Sequence, residues 1–571
     1  MEEIDAIRSI LKRIYGEKIG SVAFNKILKL IEGVTFKQKT KEKAYFSHKD
    51  VVLITYGDSL TKEGEVPLNT LYNFADKYLK GIFSTIHILP FSPFSSDDGF
   101  SVRDFYSVNP ELGSWGDIKK IGTNFKLMFD LVLNHISSKS SWFNKYLDDE
   151  KGYEALCIEV DPSTDLSDVV RPRSLPLLTK FKKSSGKTAH VWTTFSSDQI
   201  DLNYNSPDVL EKMIKVLLFY VKNGAKVIRL DAIAYLWKEI GTNCIHLSKT
   251  HDVVKLFRKV LDIIAPEVII ITETNVPHEE NISYFGDGED EAQMVYNFTL
   301  PPLLFYSFAV GDSKILSDWA KGLKLESSNN TFFNFTASHD GIGVRPLEGI
   351  LPNKEIGRLI EIVRKNGGHI SFKKNPDGTE SPYEMNITYV DALINNEKKL
   401  GTNRFLASQA IQFALPGVPA AYIHSILGSQ NWEEGVRHTN RDRTINREKL
   451  QIEEVISQLK NPESFRSRIF SSYIDLIRVR KRQPAFHPNA SFEILDIDPK
   501  IFAIVRYYNN QTVYALTNIS SKYVSLSLSG KGVPFEMKDI LTGKIFNKDS
   551  LLLNPYQYVW LNDTKNDEAQ I

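Results

Sequence analysis

The chain has 571 residues, of which 42% are hydrophobic and 25% charged, and this composition excludes a disordered or fibrous protein. Its 70 basic and 70 acidic residues cancel, so no overall field favours nucleic acid or an anionic membrane as a partner, and the basic stretch 478–482 is interpreted as a solvated helix face. The length predicts a large catalytic domain with at least one smaller module.

Residues 1–48 are predicted to form an N-terminal helical extension. Apolar residues recur at helical spacing twice, first from Ile4 to Ile14 and again from Ala23 to Ile31. Such a stripe more often docks onto the main domain than onto a foreign partner. The first residues are acidic where a secretory signal would be basic, and no apolar run reaches the length of about 18 residues that a membrane span needs. We therefore expect a cytoplasmic protein.

Residues 49–485 are predicted to form an α/β catalytic domain. Short, continuous apolar runs alternate there with helical stretches, which is typical of strands covered on both faces of a parallel sheet. The runs predicted as strands are Val51–Tyr56, Thr85–Leu89, Leu127–Leu133, Val227–Leu230, Val268–Thr272, Phe332–Phe335 and Ala420–Ile423.

Two stretches interrupt this pattern, and a third follows it. Residues 137–191 are polar and punctuated by proline and glycine, which predicts a small inserted domain, and residues 344–390 are predicted to form a long active-site loop region. From residue 486 to residue 571 apolar residues recur in period two, with turn signals between them. This region is predicted to be a C-terminal antiparallel β-domain.

Polar residues fall at the carboxyl ends of four predicted strands, where a parallel barrel gathers its active site. These segments are Asp130 to His135, Arg229 to Asp231, Thr272-Glu273, and Ser338-His339-Asp340. One acidic residue after a strand is often only a helix cap. Four such segments in order along the chain instead predict a pocket of three carboxylates, an arginine and two histidines, a density of titratable groups that usually indicates catalysis.

Paired carboxylates of this kind support glycosyl transfer, in which one attacks the anomeric carbon and the other protonates the leaving oxygen. Arg229 lies two residues from Asp231 on the same side of a strand, so we expect it to keep that carboxylate ionised, as a nucleophile requires. Glu273 has no cation beside it in sequence, which favours a retained proton and the role of acid/base.

The four segments resemble the signature regions of the α-amylase family, glycoside hydrolase family 13. The resemblance implies a TIM (β/α)8 barrel, with Asp231 as nucleophile, Glu273 as general acid/base and Asp340 holding the distorted sugar. It also implies that Arg229, His135 and His339 surround the donor glucose.

Further segments resemble a narrower branch, the sucrose phosphorylase subfamily. They are His87-Ile-Leu-Pro-Phe, Leu112-Gly-Ser-Trp115, Ile228 to Ala232, His339 to Gly343, and Leu415-Pro-Gly-Val-Pro419. The likeness covers roughly residues 50–480 and implies that Asp97 and Arg447 grip the far side of the glucose, while Phe100 and Phe195 line its faces.

Within this branch, three features look most like the glucosylglycerate phosphorylases. They are Ser95 to Val102, Arg171-Pro-Arg173 with the residues after it, and the N-terminal extension. The loop at Pro382-Tyr383-Glu384 departs from the sucrose type, which usually has glutamine in place of Glu384, and this puts fructose as the acceptor in doubt. Tyr383 is expected to bind substrate.

A phosphorylase must hold an anion at its acceptor side, and Arg173 is the predicted group, because a guanidinium matches phosphate or carboxylate bidentately. The alternative is that Arg171 and Arg173 only brace a long loop. The predicted function is phosphorolysis of an α-glucoside, glucosylglycerate being favoured, to α-glucose 1-phosphate through a covalent glucosyl-enzyme.

Other functions stay open. A phosphorylase of sucrose, sucrose phosphate or glucosylglycerol and an α-glucoside hydrolase differ only in how the acceptor side is lined, and a binding protein that has lost catalysis is a further alternative. Inorganic phosphate is expected as co-substrate, without cofactor or metal, because Asp97-Asp98-Gly99 lacks the spaced ligands of a calcium loop. Cys157 and Cys244 are too few for a disulfide framework. The oligomeric state is open between monomer and homodimer.

Overall fold

A computed structural model describes residues 2–33, 44–173, 175–325, 327–375, 378–394, 398–529 and 534–563. Its central feature is a closed barrel of eight parallel strands, each hydrogen-bonded to the next in the chain, with the last returning to the first. The strands are β1 (Val52–Thr55), β2 (Thr85–Ile88), β3 (Lys126–Val132), β4 (Ala225–Asp231), β5 (Ile269–Thr272), β6 (Met294–Tyr296), β7 (Thr331–Asn334) and β8 (Val418–Tyr422).

The predicted α/β barrel is therefore confirmed, and seven of its strands lie within two residues of the predicted runs. The eighth strand, β6, has only three residues, so it contains too little periodicity to be found in the sequence. All three of its side chains are nevertheless buried.

Helices cover the outside of the barrel and fill the connections. Several begin as the sequence dictates: Pro67 and Pro207 stand in the first turns of their helices, and Ser464 caps the helix that follows it. The α-helices after the N-terminal one are Pro67–Tyr78, Trp115–Ile121, Ser141–Leu147, Pro207–Lys222, Ser248–Ile264, His278–Ile282, Leu300–Val310, Lys314–Lys321, Asn353–Lys365, Tyr389–Ile394, Lys398–Ala414, Ile423–Ile426, Glu433–Thr439, Ile452–Lys460 and Phe465–Arg480.

The N-terminal helix (Glu2–Glu32) is broken at Gly16, whose φ of 78° is left-handed, and it packs on the helices Pro207–Lys222 and Ser248–Ile264. Its apolar stripe is buried against them, and Arg13 adds a salt bridge of 2.6 Å to Asp252. The stripe thus docks within the chain. Residues 44–48 form no helix and 34–43 lie outside the described residues, so the helix is shorter than the predicted extension.

Short hairpins occupy the two interruptions of the barrel. In the first, Leu178–Lys182 pairs with Thr188–Trp192, and His135–Ser137 pairs with Gln199–Asp201. The second contains the helix Asn353–Lys365 and a sheet in which Glu380–Asn386 pairs with both His369–Lys374 and Ile342–Gly343. Leu60–Thr61 also pairs with Leu450–Gln451.

The C-terminal region is an antiparallel β-domain. Its larger sheet contains Ser491–Ile494, Ile501–Tyr508, Gln511–Asn518, Tyr558–Asp563, Glu536–Asp539 and Ile545–Asn547 in that spatial order, and Val524–Leu526 pairs with Leu551–Leu553.

One interpretation of the basic stretch 478–482 is wrong. Arg478 is exposed, but Arg480 is fully buried and donates to the carbonyl oxygens of Phe413, His48 and Phe486. A guanidinium satisfied by backbone carbonyls ties the end of this helix to the barrel and to the segment before β1.

Both cysteines are free thiols and buried. Every helix in the described parts of the chain is too short or too polar to cross a lipid bilayer.

Candidate active site

A cavity with an empty volume of about 580 Å³ opens at the carboxyl ends of the barrel strands. Asp231 is the last residue of β4, Glu273 follows β5 directly, and Asp340 lies in the segment after β7. Ten of the twelve predicted site residues line this cavity: Asp97, Phe100, His135, Arg173, Phe195, Asp231, Glu273, His339, Asp340 and Tyr383. The barrel has therefore gathered residues that are distant in sequence.

The floor of the cavity is a chain of buried charged groups on three adjacent strands. Arg229 of β4 donates to Asp130 of β3 and, at 2.8 Å, to Asp231. Asp130 also accepts from Nε2 of His87, at 2.6 Å. Arg229 does not line the cavity but lies beneath it, and it orients Asp231 from below.

Glu273 is fixed by the residue that follows Asp231. Ala232 has a left-handed φ of 50°, and its backbone N–H donates to Oε2 of Glu273 at 2.9 Å. The other oxygen of Glu273 lies 3.9 Å from Nη2 of Arg229. The two carboxylates thus share one arginine, which is closer to Asp231.

Burial raises the pKa of Asp231 and also that of Glu273, while the charge of Arg229 opposes both shifts. For Asp231 the loss of hydration outweighs the arginine, so the prediction that Arg229 by itself keeps this carboxylate ionised is incomplete. Because Arg229 lies 2.8 Å from Asp231 and 3.9 Å from Glu273, a single negative charge shared by the two carboxyl groups is favoured on Asp231.

Asp340 is held by two arginines. Nη1 of Arg443 lies 2.8 Å and Nη2 of Arg447 3.6 Å from its Oδ1. Burial disfavours the charge on Asp340, but Arg443, His339 and Arg447 outweigh it and hold its pKa below the usual range. Burial lowers the pKa of His339 to about 3, so this imidazole is neutral at pH 7.

The donor-side loop, residues 95–101, contributes one wall. Phe100 stacks on His339 with ring centroids 4.8 Å apart, and its carbonyl accepts from Nε2 of His135 at 2.9 Å. Asp97 points its carboxylate toward Gln199, 3.4 Å away. Aromatic rings beside acidic groups are suited to a neutral sugar, whose faces are apolar and whose edges carry hydroxyls.

Other lining residues come from the two interrupting regions and from the segment that follows the first of them. Arg173 lies over the ring of Tyr383 at 5.5 Å from its centroid, and Phe195 packs on His135 and on Tyr235. Arg173 forms no ion pair with any residue that the structure describes, whereas Arg171 donates to the carbonyl of Leu175 in the loop. The positive charge of Arg173 therefore faces the cavity without an ion pair to any described carboxylate.

Two lining residues of importance were not assigned to the site from sequence. Arg443, in the 3-10 helix Asp442–Asn446, donates from Nε to Glu384 at 2.9 Å and contacts Asp340. Glu384 in turn accepts from the backbone N–H of Gly341 at 2.6 Å. Neither follows a barrel strand; the available signals were the Arg-rich segment 441–447 for Arg443 and the departure of the loop at 382–384 from the sucrose type for Glu384.

Arg447 lies behind the cavity wall. It pairs with Asp98 at 2.5 Å and donates from Nε to the carbonyl of His339 at 2.8 Å. Arg447 does not line the cavity, where Arg443 takes the lining position, so the expectation that Arg447 grips the far side of the glucose stays a prediction. Within the described residues, no cluster of three His, Cys, Asp or Glu side chains could hold a metal ion.

The chain is similar to known proteins in both sequence and structure. Residues 76–341 match the alpha-amylase catalytic domain. The glucosylglycerate phosphorylase of Spirochaeta thermophila is 49% identical over 530 residues, covering 91% of this chain and 90% of that protein. That of Escherichia coli is 44% identical over 558 residues, covering 97% and 99%. The crystal structure of sucrose 6F-phosphate phosphorylase from Thermoanaerobacter thermosaccharolyticum superposes with a TM-score of 0.74 at 26% identity, covering 88% of this chain and 98% of that one.

Proposed function

The chain belongs to the α-amylase family, and from this membership we propose that it is a retaining phosphorylase that converts glucosylglycerate and phosphate reversibly into α-glucose 1-phosphate and glycerate. The observation that carries the proposal is the identity of 44% or more, over at least 90% of the chain, to proteins named glucosylglycerate phosphorylase. The three carboxylates that this chemistry needs stand together in the cavity.

In the first half-reaction, a carboxylate oxygen of Asp231 attacks the anomeric carbon while Glu273 gives its proton to the departing glycerate oxygen. The geometry supports these roles: burial raises the pKa of both carboxyl groups, and Arg229, 2.8 Å from Asp231 and 3.9 Å from Glu273, favours the negative charge on Asp231 and the proton on Glu273. Asp340, kept ionised by Arg443, is placed to hold sugar hydroxyls.

In the second half-reaction, an oxygen of phosphate attacks the same carbon, and the bond to Asp231 breaks. Glu273 takes up the proton that phosphate releases, which returns both carboxyl groups to their starting state. Each half-reaction inverts the configuration at the anomeric carbon, so the product keeps the α configuration of the substrate. Phosphate is thus the co-substrate, and none of these steps needs a metal or an organic cofactor.

Arg173 is the proposed anion receptor of the acceptor side. Arg443 is neutralised by Asp340 and Glu384, so Arg173 is the lining arginine whose charge is left for a ligand. Phosphate and the carboxylate of glycerate both match a guanidinium bidentately, and they would occupy it in alternate half-reactions.

The test is release of glucose 1-phosphate from glucosylglycerate, sucrose, sucrose 6F-phosphate and glucosylglycerol, each with phosphate and with buffer alone. We expect release that requires phosphate and is greatest with glucosylglycerate. Release of free glucose without phosphate would show that the protein is a hydrolase. Equal release of glucose 1-phosphate from another glucoside would change the assigned acceptor, and no transfer of glucose to any acceptor would indicate a binding protein.

We also propose that the protein works in the cytoplasm on small molecules. Its two buried free thiols agree with a reducing compartment. Fractionation of cells followed by the phosphorolysis assay tests the location, and activity that persists after dialysis against EDTA would agree with a reaction independent of metals.

A further inference from the structure

We propose that Asp198, which does not line the cavity, is a positioning residue that clamps the donor-side loop (residues 95–101) in the conformation that presents Asp97 and Phe100 to the glucosyl group. The identity of the ligand rests on the proposed function. The clamp itself rests on contacts within the chain.

The donor-side loop has a backbone conformation that needs external support. Asp97 and Asp98 are consecutive non-glycine residues with φ of 55° and 48°, in the sparsely populated left-handed region. Gly99 follows with φ of 108°, and a Cβ there would lie 2.6 Å from the carbonyl oxygen of Pro90. Residues held in this way keep their conformation only where the surroundings fix it.

Asp198 supplies that support through hydroxyl groups. Its Oδ2 accepts from Ser95 at 2.5 Å, from Ser101 at 2.8 Å, and from Ser96. Its Oδ1 accepts from Ser138 at 2.6 Å. Three of these four serines belong to the donor-side loop and flank the strained residues on both sides, so one carboxylate closes the base of the loop.

Backbone hydrogen bonds hold Asp198 itself in place. The N–H of Ser138 donates to the carbonyl of Asp198 at 2.9 Å, and the next residue, Gln199, pairs with Ser137 in a short antiparallel ladder. This ladder also contains His135, which donates to the carbonyl of Phe100. Asp198 therefore joins the donor-side loop to the segment that carries another cavity residue.

Only an ionised carboxylate can satisfy all four donors. It offers two oxygens with about four acceptor positions, whereas an asparagine has one acceptor oxygen and an amide group that donates. Asp198 forms no salt bridge with any described residue, so the serine hydroxyls alone stabilise its charge. They outweigh the effect of burial and lower the pKa of Asp198.

The kinetic test uses Asp198→Asn in the direction of glucosylglycerate synthesis. We expect kcat/KM for glucose 1-phosphate to fall by about tenfold, because charge-assisted bonds to the loop are lost. For glycerate, kcat/KM should fall less, by about threefold at most, since glucose is already attached covalently and the loop then acts only on the transition state and not on the capture of the sugar. Equal losses for both substrates, or no loss for the donor, would overturn the proposal.

A second measurement does not depend on any activity. Hydrogen exchange of the amides of residues 95–101 should become faster in Asp198→Asn and stay unchanged in the control Asp161→Asn, whose carboxylate accepts from Ser163 in an exposed turn. Unchanged exchange in Asp198→Asn would overturn the clamp. If the wild-type protein transfers no glucose to glycerate, the proposed function fails, while the exchange experiment still decides the clamp.

Discussion

The two sides of the cavity are built differently. On the proposed donor side, Asp231 and its partner Arg229 stand on a barrel strand, and Arg229 is buried between Asp231 and Asp130. On the proposed acceptor side, Arg173 and Tyr383 come from the interrupting regions, and Arg173 forms no ion pair with the residues that the structure describes. The difference indicates that the barrel fixes the chemistry, whereas the loops choose the second substrate.

The largest effect is expected from removing the nucleophile. Asp231→Asn keeps the shape but cannot form the glucosyl ester, so kcat for phosphorolysis should fall by about 10⁴-fold or more. Asp104→Asn, which alters a carboxylate in a surface turn, is the matched control and should keep its activity. Normal turnover by Asp231→Asn would show that Asp231 is not the nucleophile.

Glu273→Gln should lower kcat with glucosylglycerate by about 10³-fold, because the leaving oxygen is no longer protonated. With α-glucosyl fluoride, whose leaving group needs no proton, formation of the glucosyl-enzyme should be much less impaired. Glu291→Gln, at a buried glutamate that pairs with His251, is the control. An equal loss with both substrates would contradict the role of acid.

The rates of the wild-type protein and of Glu273→Gln should depend differently on pH. Burial raises the pKa of Glu273, so its acid form is present below that pKa and is lost as the pH rises through it. The wild-type rate should therefore decline on the alkaline side, and Glu273→Gln should lack this decline. A decline that persists in the variant would assign it to another group.

Arg173→Ala tests the acceptor side. Loss of a bidentate, charge-assisted contact should raise the KM values for phosphate and glycerate by about 10- to 100-fold. Arg171→Ala is the control, since this arginine braces the loop through the carbonyl of Leu175. If both variants lose activity equally, the pair supports the loop and does not bind the anion.

The smallest effect is expected at the border between the two sides. Glu384→Gln keeps an acceptor for the N–H of Gly341 but gives up the charge that faces Arg443, so kcat/KM should fall by about fivefold. Glu348→Gln removes only a surface pair with Lys373 and should be silent. A loss confined to glycerate and phosphate would place Glu384 on the acceptor side, and a loss confined to the glucosyl donor would place it on the donor side.

The sequence predicted which residues at the strand ends line the cavity, because an apolar run followed by a polar residue indicates where a strand ends and its polar side chain begins the site. Arg443 was missed because it lies on a 3-10 helix that comes after β8 in the chain, and not at the end of a barrel strand. The buried Arg480 could not be recognised either, because its acceptors are backbone carbonyls distant in sequence.

The charges beneath Asp231 have a consequence for the intermediate. With Asp231 ionised, the group formed by Asp130, Arg229 and Asp231 carries one excess negative charge in a medium with little water. In the proposed reaction, formation of the ester at Asp231 removes that charge and leaves Asp130 and Arg229 balanced. In the covalent glucosyl-enzyme the buried charges of the barrel floor therefore cancel. The attack by phosphate releases Asp231 and restores the excess negative charge, which stabilises the positively charged transition state of the next cycle.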